Sequence, residues 1–329
     1  MYYAMNFNIK IGNYTLQTLD SVKIAKSVEN LADTAVVVIP GANINRALEV
    51  EDKIKTGDEV EIRFGYDDNL ILEFKGYLNR IATDDNSIQL ECEDALYLFK
   101  KNLKNRELKN ITLKNFLNEI VKEVNQVNKA EGTPTNYTVV CDYDFTWDKF
   151  TIFKATAFDV LKKVQEETKA NIYFKDEVLH IHPQYSEIFN KEPVIYDFAC
   201  NIEKSQLKYV LQKDKKIEVE VSATLPDGKT KKVKYGTPGG TKREIALGTA
   251  NEASMKARAE QEWNLFAYDG YEGNFTGWLL PVVESAYKIR IQDGDYPFKN
   301  GNYYVVAVET KLSSSGGERT VTIGKKINN

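Results

Sequence analysis

Two histidines are the residues of this chain best suited to bind a metal ion. His180 and His182 are its only histidines, and because they lie two positions apart on a predicted strand, their side chains can share one face. A functional metal site usually adds a third or fourth ligand with supporting hydrogen bonds. The nearest acids, Asp176 and Glu177, fall in a predicted turn. We therefore interpret the pair as partly exposed strand residues and expect no metal site.

Residues for hydrolytic chemistry are present but are not arranged for it. Serine or cysteine catalysis needs a histidine base, and no nucleophile elbow accompanies either histidine. A glycosidase needs two carboxylates that face each other across a cleft, whereas the neighbouring acids lie mostly in predicted turns or on the solvent face of a helix. These acids are Asp67 and Asp68, Asp84 and Asp85, Glu166 and Glu167, and Asp293 with Asp295. We expect no catalytic residue, no cofactor and no enzyme activity.

A group of aromatic residues between positions 263 and 278 is the one feature that suggests ligand binding. Its members are Trp263, Phe266, Tyr268, Tyr271, Phe275 and Trp278. Exposed together, such rings would form a platform for stacking sugars. Trp263 and Phe266 lie three apart on a predicted helix, and we expect them to pack on neighbouring strands instead. A carbohydrate- or cell-wall-binding β module is the alternative function if the rings are exposed.

The overall composition excludes several classes of protein. The chain has 329 residues, of which 42% are hydrophobic and 28% charged, and this length predicts two or three domains. Its net charge is only -4 and its lysines are spread along the chain, so nothing suggests a nucleic-acid-binding protein held by a basic face, and only a local basic patch is left open. The longest apolar runs have the length of strands, and no membrane span is expected. The first residues do not form a secretory signal, so folding in the cytoplasm is expected.

Two regions of alternating β-type sequence, about residues 6–93 and 203–327, frame the chain. In the first region Val60, Ile62 and Phe64 share one parity, so that one face of their strand can turn to a core. The five to seven short strands of this region predict a small closed or nearly closed barrel, or a sandwich. The second region repeats the order of an alternating strand, a polar turn, a long aromatic strand and a closing strand.

The segment between these regions is predicted to carry two amphipathic helices. The first spans about 113–129, and Thr112 is its predicted N-cap. The second spans about 157–169, where Thr156 and Asp159 have the spacing of a capping box. A hairpin follows directly, with strands NIYF and VLHIH on either side of a KDE turn.

These elements predict an α+β, mainly β fold of three domains. Two small β-barrel domains, at 1–95 and 201–329, flank an α/β middle module at 96–200. A third helix at about 250–268, with its cap at Thr249, is predicted as an insertion in the second barrel.

The order of these motifs resembles that of phage tail hub proteins, the late-control or baseplate-hub family of contractile tails. The run TAFDVLKKVQEETKANIYFKDEVLHIHP is similar to that family's helix and hairpin signature. The matching residues are Phe158, Asp159, Leu161, Tyr173, Phe174, Leu179 and Ile181. TGDEVEIRFGY followed by FKGYLNRI resembles the family's first tube barrel. FTGWLLPVVESAYKIRI followed by GNYYVVAVETKLSSSGGERTVTIG resembles the closing half of its second.

The resemblance implies a structural role in a phage, a prophage or a related contractile injection system. Two quasi-equivalent barrels in each subunit of a homotrimer would form a ring that adapts a sixfold tail tube to a threefold spike. The implied partners are the tail tube protein, the spike protein and other baseplate or tape-measure components. DNA or effectors would pass through the lumen without specific binding, past more acidic than basic residues. The implied location is the baseplate of the virion tail, assembled in the cytoplasm of the bacterial host.

Overall fold

The computed structural model describes residues 4–40, 50–67, 69–83, 87–224, 229–249 and 252–327. The fold is α+β and mainly β, as the sequence predicts. Its longer helices are α1 (Leu113–Ala130), α2 (Ala157–Thr168) and α3 (Glu252–Phe266), and a single helical turn spans Val50–Lys53. The predicted start of α3 at 250–251 lies outside the described residues. No helix in the described ranges has both the length and the apolar character needed to span a bilayer.

The β-strands fall into three groups along the chain. The first group is β1 (Met5–Ile11), β2 (Tyr14–Thr15), β3 (Ser21–Ser27), β4 (Thr34–Pro40), β5 (Glu59–Tyr66), β6 (Asn69–Thr83) and β7 (Ser87–Glu93). The second is β8 (Arg106–Thr112), β9 (Thr138–Cys141), β10 (Thr146–Ile152), β11 (Asn171–Lys175) and β12 (Val178–His182). The third is β13 (Val194–Asp197), β14 (Lys204–Ser205), β15 (Lys208–Val210), β16 (Ile217–Thr224), β17 (Thr230–Gly236), β18 (Thr241–Thr249), β19 (Gly270–Trp278), β20 (Lys288–Gln292), β21 (Gly301–Ser313) and β22 (Gly316–Ile327).

The antiparallel pair β3–β21 joins the first and third groups into one sheet of fourteen strands. It runs from Ser27 opposite Ala307 to Ser21 opposite Ser313. The main strand order of the sheet is β14-β19-β22-β21-β3-β4-β7-β6-β5-β1-β2. The expectation of two separate barrels is therefore wrong, because β21 occupies the edge of β3 that would have closed a first barrel. Among the described residues, no sheet closes on itself.

The core of the first region follows the alternation seen in its sequence. Val60, Ile62 and Phe64 on β5 are all buried, which confirms their predicted face. Leu279 and Leu312, from the other end of the chain, pack into the same cluster. The first region therefore completes its core with residues that come more than 180 positions later.

The middle module is built on α1, α2 and two small sheets. Thr112 caps α1 by accepting a hydrogen bond from the backbone N–H of Asn115. Thr156 and Asp159 form the predicted capping box at the start of α2. In the three-stranded sheet the central strand β12 pairs antiparallel with β11 and parallel with β9. The apolar faces of both helices share one buried cluster with these strands.

Helix α3 lies on a sheet of its own. β16 pairs antiparallel with β17 and parallel with β18. Met255 and Ala259 of α3 are buried against Val219 and Val221 of β16. The helix thus covers this three-stranded sheet. The prediction that it is an insertion in a second barrel is wrong, because this sheet is open.

Leu117 tests the buried face of α1. Its side chain is fully buried, and truncation to alanine leaves a cavity that costs about 2–5 kcal/mol. We expect Leu117→Ala to lower the urea midpoint of unfolding, measured by far-ultraviolet circular dichroism. The matched control is Asn118→Ala on the exposed face of the same helix, which should change stability by less than about 0.5 kcal/mol. Equal effects of the two substitutions would contradict this packing of α1.

Candidate functional site

The structure places His180 and His182 side by side on β12, as their spacing predicts. Nδ1 of His180 lies 3.2 Å from Nε2 of His182, and the ring of Tyr173 on β11 stacks on His180 with centroids 5.5 Å apart. His182 is buried, and its Nδ1 donates to Oδ1 of Asp142 at 2.7 Å. Burial, the neighbouring His182 and the charge of Lys175 lower the pKa of His180 to about 4. The ring of His180 is therefore neutral at pH 7.

The carboxylate beside His182 comes from a segment that the sequence analysis did not connect with it. Asp142 directly follows β9, and the parallel register sets Ile181 opposite Cys141. The next residue of each strand, His182 and Asp142, therefore lie together. A parallel pair formed by segments forty positions apart leaves no local signal in the sequence, and this is why Asp142 was missed.

The aromatic group between residues 263 and 278 is mostly packed inside the fold. Phe275 and Tyr271 are buried, and Trp263 packs on the sheet beneath α3. Trp278, the last residue of β19, is the exposed member of the group. One exposed ring does not form the stacking platform on which the carbohydrate alternative depends.

Two of the acids named in the search for a glycosidase site, Glu167 and Asp293, accept hydrogen bonds that stabilise local structure. Asp68, Asp84 and Asp85 lie outside the described residues. Glu167 accepts a hydrogen bond from Nε1 of Trp147 at 2.8 Å. Asp293 accepts one from the hydroxyl of Tyr271 at 2.8 Å and others from the backbone of its own loop. Neither carboxylate is presented with a second one across a cleft.

An open groove of about 1330 Å³ lies between the β5–β6 hairpin and the β21–β22 hairpin. Residues that line it include Tyr66, Ile71 and Glu73 from one side, and Trp278, Leu280 and Leu312 from the other. Trp278 and Leu280 are 59% and 50% exposed. Large apolar side chains that remain in water beside a groove are typical of a surface that contacts another protein.

Glu73, which lines this groove, belongs to a buried ion pair that joins strands from the two ends of the chain. Nη2 and Nη1 of Arg319 on β22 donate to the two carboxylate oxygens of Glu73 on β6, at 2.6 and 3.2 Å. Both side chains are almost fully buried. The remaining donors of Arg319 reach the carbonyls of Leu279 and Val283 and the hydroxyl of Thr310. Each of the three guanidinium nitrogens thus has an acceptor, as a buried charge requires.

A second pair of acids, the half-buried Asp33 and the buried Asp94, lies where the first region meets the middle module. The backbone N–H of Asp33 donates to Oδ2 of Asp94 at 3.1 Å, and Oδ1 of Asp33 accepts from the N–H of Ser27 at 3.0 Å. Burial raises the pKa of Asp33 to about 6 although Lys26 opposes the shift. Burial and the charge of Asp33 also raise the pKa of Asp94 well above its usual value.

The described architecture is shared with known tail proteins. No protein-family model and no curated protein matches the sequence. The tail protein from Neisseria meningitidis MC58 matches with a TM-score of 0.66 at 13% identity, over 98% of this chain and 97% of that chain. The 43 kDa tail protein of prophage MuSo2 from Shewanella oneidensis matches with a TM-score of 0.64 at 13% identity, over 98% of each chain.

A third solved structure extends the likeness to secretion machinery. An Escherichia coli type VI secretion component, described as structurally similar to the T4 bacteriophage tail proteins gp27 and gp5, gives a TM-score of 0.61 at 10% identity. The match covers 96% of this chain and 76% of that chain. The chain therefore has the fold of phage tail proteins. The type VI secretion component has this fold as well. The resemblance to tail proteins that the sequence predicted is thus confirmed at the level of the fold.

The Arg319–Glu73 pair should stabilise the fold only while both partners are present. Removing one partner leaves a buried charge without compensation, which costs about 3–5 kcal/mol. We expect Arg319→Met and Glu73→Leu each to lower the free energy of unfolding by this amount, measured by urea titration. The double variant should lose less than the sum of the two, because no charge is left behind.

The exposed pair Lys149–Glu107 provides the control for this cycle. Lys149→Met breaks an ion pair in which both side chains are largely in solvent, and it should leave the urea midpoint unchanged. Strictly additive losses in the Arg319 and Glu73 cycle would contradict a direct coupling between the two residues.

The Asp33–Asp94 pair should make stability depend on pH. Because the folded-state pKa of Asp33 is about 6 instead of 3.8, the folded protein holds a proton that the unfolded chain releases. Stability from this group therefore falls as the pH rises from about 4 to about 6. We expect Asp33→Asn to flatten the thermal midpoint profile over this range, and Asp20→Asn, an exposed acid, to keep the wild-type slope. Parallel profiles for wild type and Asp33→Asn would refute the assignment.

Proposed function

We propose that this chain is a structural, non-enzymatic hub protein of a phage tail or of a tail-derived contractile injection system, and that it assembles as a homotrimeric ring around a channel. The observation that carries the proposal is the fold shared over 98% of the chain with two tail proteins. The arrangement of the fourteen-stranded sheet and the exposed side chains beside the groove support the ring.

The open sheet favours closure by other copies of the chain. Within the described residues its end strands, β2 and β14, lie at opposite ends of the strand order and do not pair with each other. A strand at the edge of a sheet has unpaired backbone N–H and C=O groups that can pair with a strand of another chain. A head-to-tail contact repeated three times would close a ring and leave no free end. Three copies of the sheet would then line one continuous channel.

The positions of the two long hairpins support the change of symmetry. The β5–β6 and β21–β22 hairpins lie on opposite sides of β3, β4 and β7. If the two β-regions of each subunit are quasi-equivalent, three subunits would present six similar β-regions to a sixfold tail tube. The same three subunits would match a threefold spike on the other side. The proposed partners are therefore the tail tube protein, the spike protein and other baseplate or tape-measure components, with DNA or effectors passing through the channel.

The groove is the proposed contact with the neighbouring subunit. Aromatic residues often contribute most of the binding energy at protein interfaces, and Trp278 stands exposed beside the groove. A stable trimer buries more than about 2,000 Å² in each obligate interface. In this proposal the assembled protein lies in the baseplate of the tail and forms in the cytoplasm of the bacterial host.

The solution mass of the purified protein tests the proposal. Light scattering should give three times the chain mass of 37.5 kDa, and negative-stain images should show rings with a central hole. Trp278→Lys combined with Leu280→Lys should dissociate the trimer by placing charges in the interface. Phe153→Lys, at an exposed aromatic outside the groove, should leave it intact. A protein that stays monomeric at every concentration, and forms no ring with its tube protein, would contradict the hub assignment.

A further inference from the structure

We propose that Asp142, His182 and Glu187 bind a divalent first-row transition metal ion, with Zn²⁺ as the representative case. The three residues come from three segments: the end of β9, the end of β12 and the link that leads from β12 to β13. The proposal is independent of the hub function and departs from the expectation of no metal site, which considered only the two histidines and the acids of the turn.

The ligand atoms of these residues already converge. One nitrogen and two carboxylate oxygens all lie within 4.8 Å of one another. Nδ1 of His182 is 2.7 Å from Asp142 and 4.0 Å from Oε2 of Glu187. Zinc bonds of about 2.0–2.2 Å place tetrahedral ligands about 3.3–3.6 Å apart. Shifts on the order of 1 Å would suffice, and the two carboxylates can make them because both side chains are partly in solvent.

The contacts around His182 fix the orientation of its ring, as is usual for a histidine that binds a metal. A histidine that binds a metal through one ring nitrogen usually donates a hydrogen bond from its other N–H, and this bond fixes the orientation of the ring. Here Nε2 of His182 meets Nδ1 of His180 at 3.2 Å. His180 is itself held between the stacked ring of Tyr173 and the edge-on ring of Phe189.

Metal binding would leave both histidine rings neutral. The ion would displace the proton on Nδ1 of His182. The proton between the two rings would move from Nδ1 of His180 to Nε2 of His182, which would then donate it in a hydrogen bond to Nδ1 of His180. His180 would take up one proton at its own Nε2. One proton is thus released at the ion and one is gained at His180, so the number of protons on the pair does not change.

The hydroxyl of Tyr173 is an independent sign that a polar ligand belongs here. Tyr173 is buried, with only 6% of the residue exposed. Its hydroxyl oxygen has no hydrogen-bond partner among the described residues. The ring of Tyr173 lies 6.2 Å from that of His182, measured between centroids. An unsatisfied buried hydroxyl costs free energy, and a water molecule bound to the ion would supply the missing partner.

The ligand set selects the class of ion and gives the site a structural consequence. Two carboxylates and one imidazole suit zinc and its neighbours, whereas magnesium and calcium prefer sites made of oxygen alone. Glu187 lies in the link between the middle module and the second region. That link is anchored farther on, where the N–H of Phe189 donates to the carbonyl of Ala286. The ion would therefore pin this link to the sheet of the middle module.

Calorimetric titration of the metal-stripped full chain with zinc chloride tests the proposal. We expect one ion to bind per chain. Asp142→Asn and Glu187→Gln should each weaken binding at least about tenfold, and His180→Phe, which keeps the stacked ring but removes the acceptor, about 10- to 100-fold. Asp144→Asn, an exposed acid two positions from Asp142, is the matched control and should bind as wild type does. Circular dichroism of each variant verifies that it is folded.

Nitrogen NMR of the histidines gives a second readout. Because the chain contains only two histidines, zinc should shift Nδ1 of one ring, which His182→Asn would identify, and should leave a proton on its Nε2. Absence of saturable binding, or binding that Asp142→Asn and Glu187→Gln leave unchanged, would overturn the proposal.

Discussion

The pairing of β3 with β21 is the contact on which the rest of the architecture depends. It unites strands from the two ends of the chain, from Ser27 opposite Ala307 to Ser21 opposite Ser313. Such a contact closes a very long loop, and its entropic cost has to be offset by burial along the whole seam. The salt bridge between Arg319 on β22 and Glu73 on β6 joins the same two groups of strands, and Leu279 and Leu312 complete the core of the first region. The two ends of the chain therefore share one structural unit.

The middle module is held against this seam by the residues that follow β3. Nδ2 of Asn171 donates to the carbonyl of Val28, and Nε2 of Gln165 donates to that of Glu29. Glu284 bridges Lys26 on β3 and Lys175 on β11. A short turn thus carries contacts to the helices and the hairpin of the module. The sheet that holds the two histidines is therefore tied to the end of β3 by hydrogen bonds and ion pairs.

The features predicted correctly from the sequence are those encoded by neighbouring residues. The buried face of α1, the caps at Thr112 and Thr156, and the alternation of Val60, Ile62 and Phe64 depend on spacings of two to four positions. The β3–β21 pair joins residues 280 positions apart, such as Ser27 and Ala307, and nothing local specifies it. The sheet under α3 is formed by consecutive strands, but its parallel pairing of β16 with β18 passes over β17 and leaves no local signal. The same distinction holds at the histidines: their shared face follows from a spacing of two, but the carboxylates beside His182 arrive through a parallel pairing and a loop.

The separation of β3 from its partner also shapes how the protein is made. Ser27 leaves the ribosome 280 residues before Ala307, and at typical rates of synthesis this delay is roughly 15–55 s. Throughout that interval one edge of β3 lacks its native partner, and the core of the first region lacks Leu279 and Leu312. An uncovered strand edge on a nascent chain is a template for aggregation. The chain is therefore exposed to aggregation during translation, before its own sheet can be completed.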